Sequence, residues 1–208
     1  MRKARIAVLV SGGGTNLQAL IRAEKRGALS HGKLSLVIAN REGAYALERA
    51  KKASIPTAVV LKKECGSSEA FEERIKALLR ENKIDLIVLA GFMAILSADF
   101  TREYPERIIN VHPSLIPSFC GKGYYGLHVH EAALAYGVKV TGATVHYVNE
   151  IPDGGRILKQ KAVAVREDDT PESLQKRVMR LCEWKILPEA VEEAAAGLVH
   201  TNAEEKDR

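Results

Sequence analysis

The chain has 208 residues, 46% of them hydrophobic, which predicts one domain with a substantial core over residues 1–197 and a polar tail over 198–208. Its formal net charge of +5 comes from Lys and Arg interleaved with Glu over 48–52 and 69–81, the pattern of solvated helix faces, and this argues against a nucleic-acid partner while favouring anionic small ligands. Three cysteines far apart, with no Cys-x-x-Cys pair, and no apolar run near the roughly 18–20 residues of a membrane span predict a cytoplasmic protein without a membrane partner.

Short apolar runs alternate with amphipathic segments through the first half. Residues 5–10 read as a strand, followed by a helix with Leu17, Leu20 and Ile21 on one face; 34–39 read as strand, 45–53 as helix and 57–61 as strand. Phe71, Ile75, Leu78 and Leu79 form the buried stripe of another helix, and 85–90 is the next strand. Leu86-Ile87-Val88-Leu89 is apolar at every position, as expected of a central strand covered on both faces. The fold class that follows is α/β, a Rossmann-like doubly wound and mostly parallel sheet. Residues 108–111, 140–148 and 157–165 read as further strands, the last two partly alternating around a Pro-Asp-Gly-Gly turn, so some antiparallel pairing is expected there. A helix starts at Asp169-Thr170-Pro171-Glu172, where Asp or Thr caps and Pro suits the first turn; Pro188 is expected to bend or interrupt it, with fraying after Gly197.

Three stretches carry candidate chemistry. Ser11-Gly12-Gly13-Gly14-Thr15-Asn16 joins the first strand to the first helix, where a glycine turn lets backbone approach an anion and the helix N-terminus favours phosphate. It matches neither the dinucleotide fingerprint nor the P-loop, and a flexible capped turn is the competing reading. Asn110 and His112 alternate onto one face at the carboxyl edge of a strand, where open α/β sheets hold ligands. An amide can hold a developing oxyanion and an imidazole can move a proton; a structural histidine within a turn is the alternative. Asp153 lies in Asp-Gly-Gly, turn chemistry in its own right, and gains interest only beside Asn110 and His112. His112, His128, His130, His146 and Asp153 match no compact zinc spacing, so no metal is expected. Cys120 has no attached base and reads as an ordinary loop cysteine.

In this order and spacing, Ser-Gly-Gly-Gly-Thr-Asn at 11–16, Leu-Ala-Gly-Phe-Met at 89–93, Asn-Val-His-Pro-Ser-Leu-Ile-Pro at 110–117 and Asp-Gly-Gly at 153–155 resemble the folate-dependent phosphoribosylglycinamide formyltransferases. The likeness runs from Ile6 to about Pro188. It implies the formyltransferase fold and formyl transfer from 10-formyltetrahydrofolate to the amine of N1-(5-phospho-D-ribosyl)glycinamide, a step of purine synthesis. By the same resemblance Asn110, His112 and Asp153 are catalytic, and Gly14, Thr15 and Asn16 hold the substrate phosphate. Glu183 is the ribose-binding carboxylate, and Met93, Ala94, Ile95 and Leu96 line the folate pocket with Asn110. Protonated His112, its pKa raised by Asp153, would share the oxyanion with Asn110. The implied partners are the nucleotide and the folate, with the chain a monomer or homodimer.

The wider superfamily shares the Asn-x-His and the distal Asp, but its methionyl-tRNA formyltransferases add a C-terminal domain and its formyltetrahydrofolate hydrolases an N-terminal one, and 208 residues fit neither. The sequence also departs from the family. Ala94 stands where many members have Arg, Ser68 replaces a basic residue that can meet the folate glutamate, and 120–126 lengthens a short Pro-Gly link, bringing Lys122. A formyl-folate hydrolase and a non-enzymatic nucleotide sensor are the other readings. Dependence of turnover on the glycinamide nucleotide separates the first, and ligand binding without turnover marks the second.

Overall fold

The computed structural model describes residues 2–204, and their side chains up to residue 200. Seven strands form one sheet of order β3-β2-β1-β4-β5-β6-β7. β1 (Ala4–Val10), β2 (Gly32–Ala39), β3 (Thr57–Val59), β4 (Leu86–Leu89) and β5 (Ile108–His112) run parallel, whereas β6 (Val140–Tyr147) and β7 (Ile157–Ala164) extend the sheet antiparallel. The helices are α1 (Thr15–Lys25), α2 (Tyr45–Lys52), α3 (Lys62–Cys65), α4 (Ser68–Glu81), α5 (Ala98–Glu103), α6 (His128–Tyr136), α7 (Pro171–Val178) and α8 (Trp184–Glu204).

The sheet is covered on both faces because its central strands are apolar on both. Ile6, Val8 and Val10 of β1 pack with Leu17, Leu20 and Leu187 in one cluster, while Ala7 and Leu9 pack with Phe71, Ile75 and Phe100 in the other. Each such side chain, once fully buried, contributes about 1.5–3 kcal/mol through removal from water. The doubly wound, mostly parallel sheet with antiparallel strands toward the C-terminus is therefore the observed fold.

Local chemistry sets the ends of the elements. Thr170 caps α7 by accepting from the Ser173 N–H, the Ser173 hydroxyl accepts from Thr170 N–H, and Pro171 occupies the first turn. Asp169 instead forms a two-pronged ion pair with Arg177. α5, absent from the periodicity reading, is nucleated by Ser97, whose hydroxyl accepts from Phe100 N–H while its own N–H donates to the buried Glu72 at 2.7 Å. α8 runs through Pro188 without a break, and the irregularity falls just upstream as a π turn at Met179–Glu183. The helix continues past Gly197 to Glu204; the remainder of the expected tail, 205–208, lies outside the described residues.

The order 3-2-1-4-5 reverses direction between β1 and β4, so a crevice opens at the carboxyl ends of these strands. β1, β4 and β5 are adjacent, which sets the loop after β1 about 10 Å from the end of β5.

Candidate active site

The loop after β1 delivers three glycines to this crevice. Gly14 adopts φ +69°, and a Cβ there would stand 2.6 Å from the Ala46 Cβ in the first turn of α2. Ala46 N–H donates to the Gly12 carbonyl and the Arg49 guanidinium to the Gly13 carbonyl, pinning the loop against α2. Among the described residues no side chain caps α1, which leaves its first N–H groups available to an anion. Gly14→Ala is expected to strain a left-handed position by about 1–2 kcal/mol and to displace the loop from α2. The expected result is a KM for the phosphorylated substrate raised about tenfold or more with a smaller change in kcat, read by steady-state kinetics.

Asn16 is buried and its side-chain amide donates to the Glu183 carboxylate at 2.7 Å, and Thr15 Oγ1 lies 3.9 Å from Met179 Sδ. The π turn makes this possible by rotating Glu183 inward against α1. The phosphate-loop side chains are thus tied to the π turn, and anion contacts at 14–16 fall to the backbone. Burial raises the Glu183 carboxyl from 4.5 to about 7, opposed only in part by the Asn16 hydrogen bond. Between those values the folded state holds a proton that the unfolded chain has released, so stability falls as pH rises from about 4.5 to about 7. Measured by urea unfolding at pH 5 and pH 8, the stability of wild type relative to Glu183→Gln is expected to fall by on the order of 3 kcal/mol. An unchanged difference would dismiss the buried acid.

β5 places Asn110 and His112 on the same side. Asn110 stands opposite His146 of β6 in register, and His112 opposite Thr144. His112 Nδ1 is 3.5 Å from Asp153 Oδ2, and His146 Nε2 is 3.6 Å from Asp153 Oδ1. Asn110, His112 and Asp153 therefore form one cluster, with His146 as a fourth member. His146 Nδ1 donates to the Tyr147 carbonyl at 2.7 Å, which leaves Nε2 to accept from Asn110 Nδ2 at 3.3 Å. That bond uses one Asn110 N–H and leaves the other directed elsewhere.

The turn carrying Asp153 requires its glycines. Asp153 itself has φ +56°, and a Cβ on Gly155 would sit 1.8 Å from the Tyr147 carbonyl oxygen. Asp153 Oδ2 also accepts from Gly121 N–H at 2.8 Å, so the 118–127 loop is fastened to the carboxylate. On the other side of the loop, His112 Nε2 donates to the Phe119 carbonyl at 2.9 Å. Ser114, Thr144 and Gln160 hold the preceding turn, with Thr144 Oγ1 donating to the Ser114 carbonyl at 2.7 Å.

Burial lowers the His112 pKa below its ordinary value, outweighing Asp153 and the Phe119 carbonyl, which pull it up. This corrects the expectation that Asp153 would leave the imidazole with a raised pKa: Asp153 acts in the expected direction, but loss of solvent dominates. Although burial opposes it, hydrogen bonding, with the Gly121 N–H among the donors, holds the Asp153 carboxyl below its usual range. The resting site is a carboxylate facing a neutral imidazole whose second nitrogen is ready to gain a proton.

The loop after β4 is tied to the glycine loop, since Ser11 N–H donates to the Gly91 carbonyl and Met93 N–H to Ser11 Oγ at 2.8 Å. Met93 and Ile95 are exposed, as is Ile151 near Asp153, whereas Leu96 is buried in the second apolar cluster and Ala94 packs against it. Only Met93 and Ile95, with the backbone, remain to meet a ligand from this loop. Ser68 and Lys122 are exposed, and neither makes an ion pair among the described residues. His128 faces outward to Glu131 while His130 is buried, so the two point apart. Among the described residues no group of three or more His, Cys, Asp or Glu has metal-holding geometry. Cys120 donates to the Pro117 carbonyl, and burial, with the Asp153 charge, pushes its thiol pKa up, away from a nucleophile.

The doubly wound sheet thus gathers an amide, an imidazole and a carboxylate beside its switch point, where open α/β sheets hold their ligands. The chain belongs to the formyl transferase family, whose sequence profile matches residues 4–191. It is 45% identical over 199 residues to the bovine trifunctional purine biosynthetic protein adenosine-3, covering 95% of this chain and 19% of that protein. The chain thus spans about a fifth of the length of the trifunctional relatives it matches. It is 38% identical to the chloroplastic phosphoribosylglycinamide formyltransferase of Arabidopsis thaliana, covering 91% of this chain and 65% of the relative. Among solved structures, glycinamide ribonucleotide transformylase 1 from Symbiobacterium toebii superposes with a TM-score of 0.88 at 39% identity, over 94% of this chain and 89% of that one. The Coxiella burnetii phosphoribosylglycinamide formyltransferase gives 0.86 at 42% identity, over 94% and 89%.

Proposed function

We propose that this protein transfers the formyl group of 10-formyltetrahydrofolate to the amine of N1-(5-phospho-D-ribosyl)glycinamide. The observation that carries the reading is the convergence of Asn110, His112 and Asp153 on one edge of the sheet with the uncapped glycine N-terminus of α1. The first cluster suits acyl transfer and the second a phosphate, and the spacing of their parent strands suits a substrate that carries an amine at one end and a phosphate at the other.

In this mechanism the amine forms a bond to the formyl carbon and the carbonyl oxygen becomes an oxyanion. The free N–H of Asn110 donates to it. The amine then sheds a proton as the bond from formyl carbon to folate nitrogen breaks, and that nitrogen takes the proton up. Nδ1 of His112 is the group placed to hold the proton in transit, because Nε2 is committed to Phe119 and because Asp153 offsets the positive charge that forms on the ring. His146 holds Asn110 in place. The exposed apolar side chains of Met93, Ile95 and Ile151 flank this edge and suit the flat face of a pterin, while Ser68 and Ala94 leave the folate tail short of cationic partners. The Asn16 bond engages Oε2 of Glu183, so Oε1 is the oxygen left to accept from a ribose hydroxyl. The cytoplasm is the compartment we assign; the three cysteines are free, and no described helix is long and apolar enough to cross a membrane.

Absorbance-monitored turnover of 10-formyltetrahydrofolate, with and without the glycinamide nucleotide in buffer containing chelator, tests the reading. Turnover only with the nucleotide is expected. Folate consumption without it indicates a hydrolase, and binding without turnover a sensor.

A further inference from the structure

Beyond the reaction edge, α1 carries a second feature on its outer side. A cavity of about 340 Å³ opens between α1, α2 and the start of α8, and five cations line it: Arg22, Arg26, Arg49, Arg180 and Lys185. Among the described residues no Asp or Glu lines it. Arg49 is committed to the Gly13 carbonyl, to Gln18 Oε1 at 3.0 Å and to the face of the Tyr45 ring. The other four make no hydrogen bond or ion pair through their side chains among the described residues. The carboxylates of the flanking elements are engaged elsewhere. Glu24 accepts from Leu34 N–H, Glu48 pairs with Lys51, and Glu183 is buried against Asn16. Cations gathered this way repel one another and are uncompensated until an anion lies among them.

The arrangement is elongated. Thr15, Arg22 and Arg26 follow one flank of α1, and eleven residues of helix span about 16 Å. A single phosphate at Thr15 meets one end of such a row and leaves the other unused. We propose that the groove binds a polyphosphate chain, with one end beside Thr15 at the phosphate loop and the rest running over Arg22 and Arg26. Because the two ligands share the Thr15 end, an occupant of the groove excludes the phosphorylated substrate, and its effect on the enzyme is competitive inhibition. Anion binding in the groove does not depend on the formyl-transfer reading, since its occupancy is measured without turnover; the competition with substrate rests on that reading.

Trp184 lines the same cavity and is the only tryptophan of the chain, so its fluorescence reports on the groove. The experiment titrates the full chain with inorganic tripolyphosphate and, separately, with orthophosphate, following Trp184 emission and confirming each titration by calorimetry, at low and at physiological salt. Saturable binding of tripolyphosphate at least tenfold tighter than orthophosphate is expected, weakening as salt screens the exposed cations. The Arg22→Glu/Arg26→Glu double variant is expected to lose at least tenfold of the tripolyphosphate affinity while its kcat stays that of wild type. Equal affinity for the two anions overturns the proposal and assigns the cations to a monophosphate alone. Wild-type affinity in the double variant, or no calorimetric binding of tripolyphosphate, overturns it as well. Should the charge reversal prevent folding, Arg22→Gln/Arg26→Gln serves in its place, and the comparison of the two anions on wild type stands by itself.

Discussion

Replacing Asp153 by Asn is expected to lower kcat by roughly 10²- to 10⁴-fold, the range for loss of a group that organises proton transfer. The carboxylate faces His112 Nδ1 at 3.5 Å and His146 Nε2 at 3.6 Å, and it is the only negative charge placed to offset a proton on the buried His112 ring among the described residues. Asparagine keeps the size and can still accept from Gly121 N–H, so the 118–127 loop stays fastened and unfolding by urea should change little. A purely structural role predicts the reverse, lost stability with turnover preserved. The pH profile separates the two further. Asp153 pulls the His112 pKa up against the larger effect of burial, so its removal lets that pKa fall further. The acid limb of kcat/KM, set by protonation of His112, is therefore expected to move to lower pH in the variant. Near-normal kcat in Asp153→Asn would leave the residue with its turn alone.

The parts of this molecule that local pattern encodes are legible in its sequence. Leu86-Ile87-Val88-Leu89 is apolar throughout because β4 is covered on both faces, and the Thr170-Pro171 start of α7 is chemistry confined to a few neighbouring residues. Asn110 and His112 share a face for the same local reason, two residues apart on a strand. What joins them to Asp153 is not local. The contact depends on the antiparallel return of β6, on a register that sets His146 opposite Asn110, and on the glycine turn that folds Asp153 back, and no periodicity carries that information. His146 consequently read only as a spare metal ligand, although the strand pattern of 140–148 marked the element that holds it. Glu183 shows the same limit from another side. A π turn has no local signature comparable to a capping box, so the inward rotation that buries this carboxylate on Asn16 is visible only in the packed helices. The resemblance places Leu96 in a ligand-lining loop, but the chain there sends Ile95 outward and Leu96 into the core, a choice made by tertiary packing.

Asn110→Ala is expected to reduce kcat by about 10²- to 10³-fold, equivalent to about 2.7–4 kcal/mol of transition-state stabilisation, with KM for both substrates within a few-fold of wild type. The amide matters because the charge it meets develops only as the amine attacks; before that the formyl oxygen is a weak acceptor, and the same bond adds little to binding. His146 makes this donor available in a fixed orientation by taking one Asn110 N–H at 3.3 Å through the nitrogen left bare when Nδ1 donates to Tyr147. Asn110→Asp sharpens the test. It preserves volume but replaces the donor with an acceptor beside Asp153, and its loss should exceed that of alanine, since the added charge opposes the oxyanion. Combined with Asp153→Asn, the alanine change should cost less than the product of the two single losses, because both residues serve one transition state through a shared network with His112 and His146. Strictly multiplicative losses in the double variant would mean that the amide and the carboxylate act independently, and would break the single four-residue site into two.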